Sequence, residues 1–164
     1  MDWYGLIVLI HVVAVLVFIA AHAVSAVSIF QVRAESDRLK LASILERSAR
    51  SLIVAGIALL VLLISGIVAG IMGGWWGRFW IWVSLVLLVA VGGTMTPLAG
   101  IPMSNIRRAL GQQVGKPKEG DPPPVALGDP EVAAARAALR PELVTTIGLA
   151  GLAVIFWLML AKPF

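Results

Sequence analysis

Four long runs of apolar residues dominate the chain, at 3–30, 52–72, 79–98 and 143–160. Each run approaches or exceeds the ~20 helical residues that cross a hydrocarbon core of ~30 Å. Apolar residues follow one another within the runs, whereas a strand of a membrane barrel would alternate them with polar residues. The pattern predicts an all-α, integral membrane four-helix bundle, with residues 1–164 forming a single transmembrane domain.

The polar segments between the runs predict simpler structures. Segment 33–50 mixes charges of both signs with apolar residues at helical spacing, which predicts an extension of helices one and two along the headgroups. Segment 111–130 is rich in Gly and Pro and has no apolar period, which predicts a flexible cytoplasmic linker. Asp129 is then expected to cap a short helix that has Pro130 at its first position.

Composition narrows the class of protein further. Hydrophobic residues make up 60% and charged residues 13% of the chain, a balance far from that of soluble domains. The absence of Cys excludes disulfides, thiolate metal sites and covalently attached c-type haem. The net charge of +4 comes from basic residues that lack any known nucleic-acid-binding pattern, so the expected partner is the lipid bilayer and not a nucleic acid.

The distribution of basic residues predicts the orientation of the bundle. Eleven of the 13 Lys and Arg residues lie in segments 33–50 and 107–140, and the others are Arg78 and Lys162. By the positive-inside rule, both termini lie on the outer side and the two large loops are cytoplasmic. The tryptophans fall towards the outer side in this arrangement, as expected of an aromatic belt: Trp3, Trp75, Trp76, Trp80, Trp82 and Trp157.

Two backbone features stand out within the apolar runs. Gly66, Gly70 and Gly74 form two small-xxx-small steps, which predict close helix packing, either inside the bundle or across a homodimer seam. Pro97 and Pro102 predict a kink or break at the end of the third helix. A helix end near the cytoplasmic interface is the favoured interpretation, and a substrate-lining broken helix is the alternative.

The only histidines, His11 and His22, lie in the first apolar run. Their eleven-residue separation is about three turns, so they share one stripe of the helix about 16 Å apart and cannot hold the same metal ion. An ionisable side chain at membrane depth is a candidate functional residue, and His11 is the better candidate because it lies deeper. His22 is expected near the inner surface, within reach of water and headgroups.

Three kinds of partner are possible for His11. One is haem iron or copper, with a methionine or a second copy of His11 in a homodimer as the other ligand. Another is an ordinary hydrogen bond to a carbonyl or hydroxyl of a neighbouring helix. The candidate hydroxyls are those of Ser65, Ser84, Thr94 and Thr96.

The stretches LIVLIHVVAVLVFIAAHAVSAVSIF at 6–30 and FWLMLAKPF at 156–164 resemble a bacterial family of four-helix membrane proteins that is defined only as a domain of unknown function. The histidine pattern of helix one is also similar to copper-resistance D-type proteins and to J-type protoporphyrinogen oxidases. These resemblances imply a multi-pass protein of the bacterial inner membrane, with His11 matching a haem-ligating histidine and haem b as a possible cofactor.

Three functions follow as hypotheses. The favoured one is a non-catalytic structural or accessory subunit of a membrane assembly, because the spans contain no carboxylate for a proton relay. The first alternative is a b-type haem or copper-binding protein that uses His11. The second is a small transporter or channel, which depends on the broken end of helix three.

Overall fold

A computed structural model describes residues 2–117 and 124–163, and no strand occurs among them. Four stretches of this structure are long and apolar enough to cross a membrane. The prediction of an all-α chain with four long apolar helices is therefore confirmed, and these helices indicate a membrane protein. The α-helices are α1 (Trp3–Ala34), α2 (Arg38–Met72), α3 (Phe79–Met95), α4 (Ile101–Ala109), α5 (Asp129–Ala137) and α6 (Pro141–Ala161).

Helices α1 and α2 form an antiparallel hairpin joined by only three residues, 35–37. The Asp37 carboxylate caps α2 by accepting hydrogen bonds from the Leu39 N–H at 2.8 Å and the Lys40 N–H at 3.1 Å. These bonds, with Lys40 contributing most, hold the pKa of Asp37 below its usual value. The helices thus continue through the polar segment, as the apolar spacing of 33–50 predicts.

The third span does not end at residue 98. Residues Thr96–Gly100 form one π-helical turn, in which the Ile101 N–H donates to the Thr96 carbonyl, and α4 continues to Ala109. Pro97 and Pro102 have no N–H to donate, and the wider turn accommodates them without stopping the helix. The favoured expectation of a helix end near 98 therefore differs from the structure, in which Ile106 and Ala109 are buried and anchor the continuation.

The connection between α4 and α6 is only partly described. Residues 118–123 of the predicted linker 111–130 lie outside the described residues. Helix α5 has Gly128 as its N-cap, without a side-chain capping bond, so Asp129 is the first helical residue and not the predicted cap. Pro130 occupies the first turn, where its missing N–H has no cost.

The two ends of the bundle differ in composition. We call the end where α1 passes into α2 the arginine end, because Arg33, Arg38 and Arg136 join α5 to the α1–α2 loop there. The opposite end, where α2 passes into α3, is the tryptophan end. Its aromatic side chains are those of Tyr4, Trp75, Trp76, Trp80 and Trp82.

Between these ends the helices pack as two pairs. Helix α1 lies along α2, and α3 lies along α6. The α1–α2 contact is built on small buried residues, which let two backbones approach closely: Ala14, Ala21, Ala55, Ala58 and Ser65. Side chains of both pairs line the cavity described next.

Candidate functional site

A cavity of about 370 Å³ lies between the two helix pairs, on the side of the arginine end. Helices α1, α2 and α6 and the continuous segment α3–π-turn–α4 all contribute side chains to its wall. This volume falls in the range of small-molecule sites, ~300–1,000 Å³. Leu52, Thr96 and Leu149 line the cavity and are also exposed on the outside of the bundle, so the cavity opens sideways between the helices.

The π-helical turn forms one wall of this cavity. Gly100 lies in the turn, and a Cβ atom built on it would meet nothing closer than the Thr96 Cγ2 at 4.0 Å. Met95 and Met103 flank the turn and also line the cavity. Flexible, polarizable Met side chains adapt to apolar ligands of varied shape. π-Helical turns are frequent at functional sites, and Gly100 leaves free space in this one because it has no side chain.

His22 faces this cavity, whereas His11 does not line it. The His22 ring stacks on Phe18 with centroids 5.9 Å apart, and its Nε2 lies 3.2 Å from the position of a Cβ on Gly148 of α6. The imidazole forms no hydrogen bond within the described part of the chain. His22, the weaker functional candidate by its predicted depth, is therefore the histidine that lines the cavity.

His11 is instead bonded to α2. Its Nδ1 lies 3.0 Å from the Leu62 carbonyl oxygen and 3.3 Å from the Ser65 Oγ. The expectation that a hydroxyl or carbonyl of a neighbouring helix bonds His11 is confirmed, with Ser65 as the hydroxyl. Because Nδ1 faces a carbonyl, the Nε2 atom is the unprotonated nitrogen in the favoured tautomer.

The three glycines of the predicted packing motif differ in what they contact. A Cβ on Gly66 would lie 3.0 Å from the His11 Cε1, so this glycine gives the imidazole room against α2. A Cβ on Gly70 would lie 3.0 Å from the Trp76 Nε1. Gly74 makes no such contact and has a φ of +67°, so its role is to end α2 in a left-handed turn.

Two further polar groups were not predicted from the sequence. The Thr145 Oγ1 in the α6 wall is buried without a hydrogen-bond partner among the described residues. Arg107 of α4 lines the cavity at the arginine end. Spacing could have identified Arg107 in the sequence. Gly100, Met103 and Arg107 share one helical face if the helix continues past Pro102.

The described residues contain no cluster of three or more His, Cys, Asp or Glu side chains that could hold a metal ion. Comparisons with protein-family models, with curated proteins and with solved structures gave no significant match to this chain. The resemblance to the four-helix family of unknown function therefore stays a prediction. The geometry of the site is that of an apolar cavity with a few polar groups.

Proposed function

We propose that the chain is a multi-pass protein of the bacterial inner membrane, with both termini on the outer side. The arginines support this orientation, because the arginine end would then lie at the cytoplasmic face and the tryptophan end at the outer interface. The chain has no native Cys, so single cysteines can report on topology. In intact cells a membrane-impermeant thiol reagent is expected to label Gly77→Cys and not Val125→Cys, and the reverse labelling would contradict the orientation.

Within that membrane we propose a non-catalytic accessory role, in which the protein holds a small amphipathic molecule from the inner leaflet. The observation that carries this proposal is the cavity of about 370 Å³ between the helix pairs. Its wall is mostly apolar, which suits an alkyl chain. His22 and Thr145 add hydrogen-bonding atoms that lack partners in the described chain, which is typical of a site completed by a ligand or water.

Matched glycine substitutions test the binding role. Gly100→Leu places bulk in the cavity, whereas Gly93→Leu places the same bulk at an open position of α3 that does not line it. Purified protein in detergent is titrated with radiolabelled dodecanol, a neutral amphiphile. Saturable binding is expected to be retained by Gly93→Leu and lost or at least about tenfold weaker in Gly100→Leu, because the side chain occupies the volume of the ligand. Equal binding by both variants would contradict the proposed site.

Haem or copper binding at His11 is a second candidate function, supported by one contact. An imidazole that ligates a metal commonly donates its other N–H to a backbone carbonyl, as the His11 Nδ1 can to Leu62. Its Nε2 would be the ligand atom. Protein purified after expression with haem and copper supply is expected to lose any Soret band or stoichiometric copper in His11→Ala and to keep it in His22→Ala. Wild-type protein with neither signal would end this candidate.

A further inference from the structure

Arg107 is the only charged side chain among the described residues that line the cavity. It lies where the cavity meets the arginine end, while Ile19 and Leu152 line the part farthest from it along α1 and α6. We propose that Arg107 binds the acidic headgroup of a single-chain amphiphile whose alkyl chain occupies the cavity. This inference rests on the proposed function and adds to it the charge of the ligand.

The surroundings of Arg107 leave its positive charge incompletely neutralised. Its Nη2 lies 3.6 Å from the Glu46 Oε2, and the other oxygen of that carboxylate accepts a shorter bond of 2.9 Å from the Arg50 Nε. Two guanidinium groups thus share one carboxylate, so the group of three carries one excess positive charge. The Nε of Arg107 donates to the Gln112 Oε1 at 3.3 Å, a neutral acceptor. An added anion would balance this charge.

The Arg107 guanidinium lies between the apolar cavity and the solvent-exposed arginine end. The Arg107 side chain is only 25% exposed, so an ion pair there is screened less than one on an open surface. Its planar group of donors matches a carboxylate or phosphate in a bidentate arrangement. Ser104 lies one turn earlier on α4, lines the same cavity, and offers a hydroxyl beside the headgroup position.

The length of the cavity suits an alkyl chain. Along α1 its lining runs from Ile19 to Ile29, which is about 15 Å at 1.5 Å per residue. Apolar residues of α1, α2 and α6 form the walls over this distance, with Leu45, Ala49 and Leu52 on α2. A single-chain carboxylate or a diacyl phospholipid could each supply an acidic headgroup, and the experiment must separate these two sources.

The test compares ligands that differ in headgroup against variants that differ in one charge. Binding of radiolabelled dodecanoate, dodecanol and phosphatidylglycerol to purified protein is measured at low salt and at a pH where dodecanoate is ionised. Arg107→Gln removes the proposed headgroup ligand, and Arg107→Lys keeps its charge. Arg108→Gln is the matched control, because Arg108 is exposed, does not line the cavity and, among the described residues, bonds only Asn105 of its own helix.

Wild-type protein is expected to bind dodecanoate about tenfold or more tightly than dodecanol, as one charge-assisted hydrogen bond would allow. Arg107→Gln is expected to lose this preference and still bind dodecanol, which shows that the variant is folded. Arg108→Gln is expected to keep the preference and Arg107→Lys to keep part of it. Glu46→Gln is expected to strengthen dodecanoate binding, because it removes the competing carboxylate.

Each contrary result has its own meaning. Equal affinity of wild-type protein for dodecanoate and dodecanol, or an unchanged preference in Arg107→Gln, would overturn the acidic headgroup and leave the cavity as a site for neutral ligands. Failure of every ligand to bind would overturn the proposed function itself. Tighter Arg107-dependent binding of phosphatidylglycerol than of dodecanoate would overturn the single-chain ligand and identify a membrane lipid as the source of the headgroup, and the reverse order would support a free fatty acid.

Discussion

The arginine end and the tryptophan end of this bundle are stabilised in different ways. At the arginine end, five helices contribute side chains to one buried apolar cluster: Ile29, Val32, Leu41, Leu45, Ile106, Ala109, Val132, Leu139 and Val144. At the tryptophan end, the buried apolar cluster of the described residues contains only Trp80, Ile81 and Leu158. There the Trp75 Nε1 donates to the Tyr4 hydroxyl at 3.1 Å, and the Lys162 Nζ lies 4.4 Å from the centroid of the Trp75 ring.

The proposed membrane position would account for this difference. Where water surrounds the protein, burying branched side chains is favourable and produces a core like that of a soluble domain. Within hydrocarbon that driving force is absent, so close contacts depend on small residues, and indoles settle at the interface. The cavity adjoins the arginine-end cluster, because Ile29, Leu45 and Val144 belong to both.

Removing a large side chain from the arginine-end cluster should have the largest effect on stability. Leu41 is fully buried, and Leu41→Ala is expected to lower the free energy of unfolding by about 2–5 kcal/mol through lost transfer energy and a new cavity. Leu60, which is 58% exposed on the same helix, is the control, and Leu60→Ala is expected to change little. Thermal unfolding in detergent measures both. Equal losses of stability in the two variants would contradict the idea that the arginine-end cluster stabilises the bundle as a buried core.

The main features of the fold were predictable from local sequence. Long apolar runs determine the four spans, and the mixed segment 33–50 carried enough apolar period to predict that α1 and α2 continue through it. The passage through Pro97 and Pro102 was not predictable, because it depends on burial of Ile106 and Ala109 against other helices. The prolines are visible in the sequence, but the tertiary contacts that stabilise the helix despite them are not.

The candidate site was less predictable than the fold. Four hydroxyls were candidate hydrogen-bond partners of His11 beside a backbone carbonyl or a metal, and only the pairing of α1 with α2 brings Ser65 and the Leu62 carbonyl to it. The cavity beside His22 is lined by α1, α2, α6 and the segment from α3 to α4, so no single helix predicts it. Arg107 was counted only as a cytoplasmic charge, because its position in the wall requires the helix to continue beyond residue 98.

Overpacking near the tryptophan end should have the second largest effect. Gly70→Leu forces a side chain against the Trp76 indole and is expected to lower the free energy of unfolding by about 1–3 kcal/mol. Gly56→Leu adds the same bulk at an open position of α2 and is expected to be neutral or to stabilise by a few tenths of a kcal/mol through helix propensity. Light scattering of both variants also tests the homodimer seam, since a shift in oligomeric state only in Gly70→Leu would place that surface between two copies.

Loosening α5 at the arginine end should have a smaller effect. The Arg33 Nη1 donates to the Ala137 carbonyl at 2.8 Å and also to the Leu139 carbonyl. Arg33→Met keeps the apolar stem and removes these donors. The expected loss is about 1 kcal/mol, because the group is exposed to solvent. Limited proteolysis is expected to cut near α5 faster than in Arg140→Met, whose side chain is exposed. Equal cleavage of the two variants would show that the Arg33 hydrogen bonds do not hold α5 in place.

The pH dependence of the α1–α2 loop should be the smallest effect. The Glu35 carboxylate accepts hydrogen bonds from the Asp37 and Ser36 N–H groups, which hold its pKa below the usual value. Its contribution to stability is therefore present above the unfolded-state pKa of ~4.3 and is lost as pH falls through the lower folded-state value. Glu35→Gln is expected to show a smaller decline in melting temperature on acidification than wild-type protein. An identical decline would show that Glu35 is not involved.

The most direct measurement is photo-crosslinking of a diazirine-bearing dodecanol to the purified protein, with the modified residues located by mass spectrometry. Labelling is expected in the stretches that line the cavity, within 19–29, 95–107 and 144–152, and is expected to disappear in Gly100→Leu while persisting in Gly93→Leu. Labelling spread over exposed faces outside the cavity, such as those of Val86 and Val89, and unchanged in Gly100→Leu, would contradict a ligand site between the helix pairs.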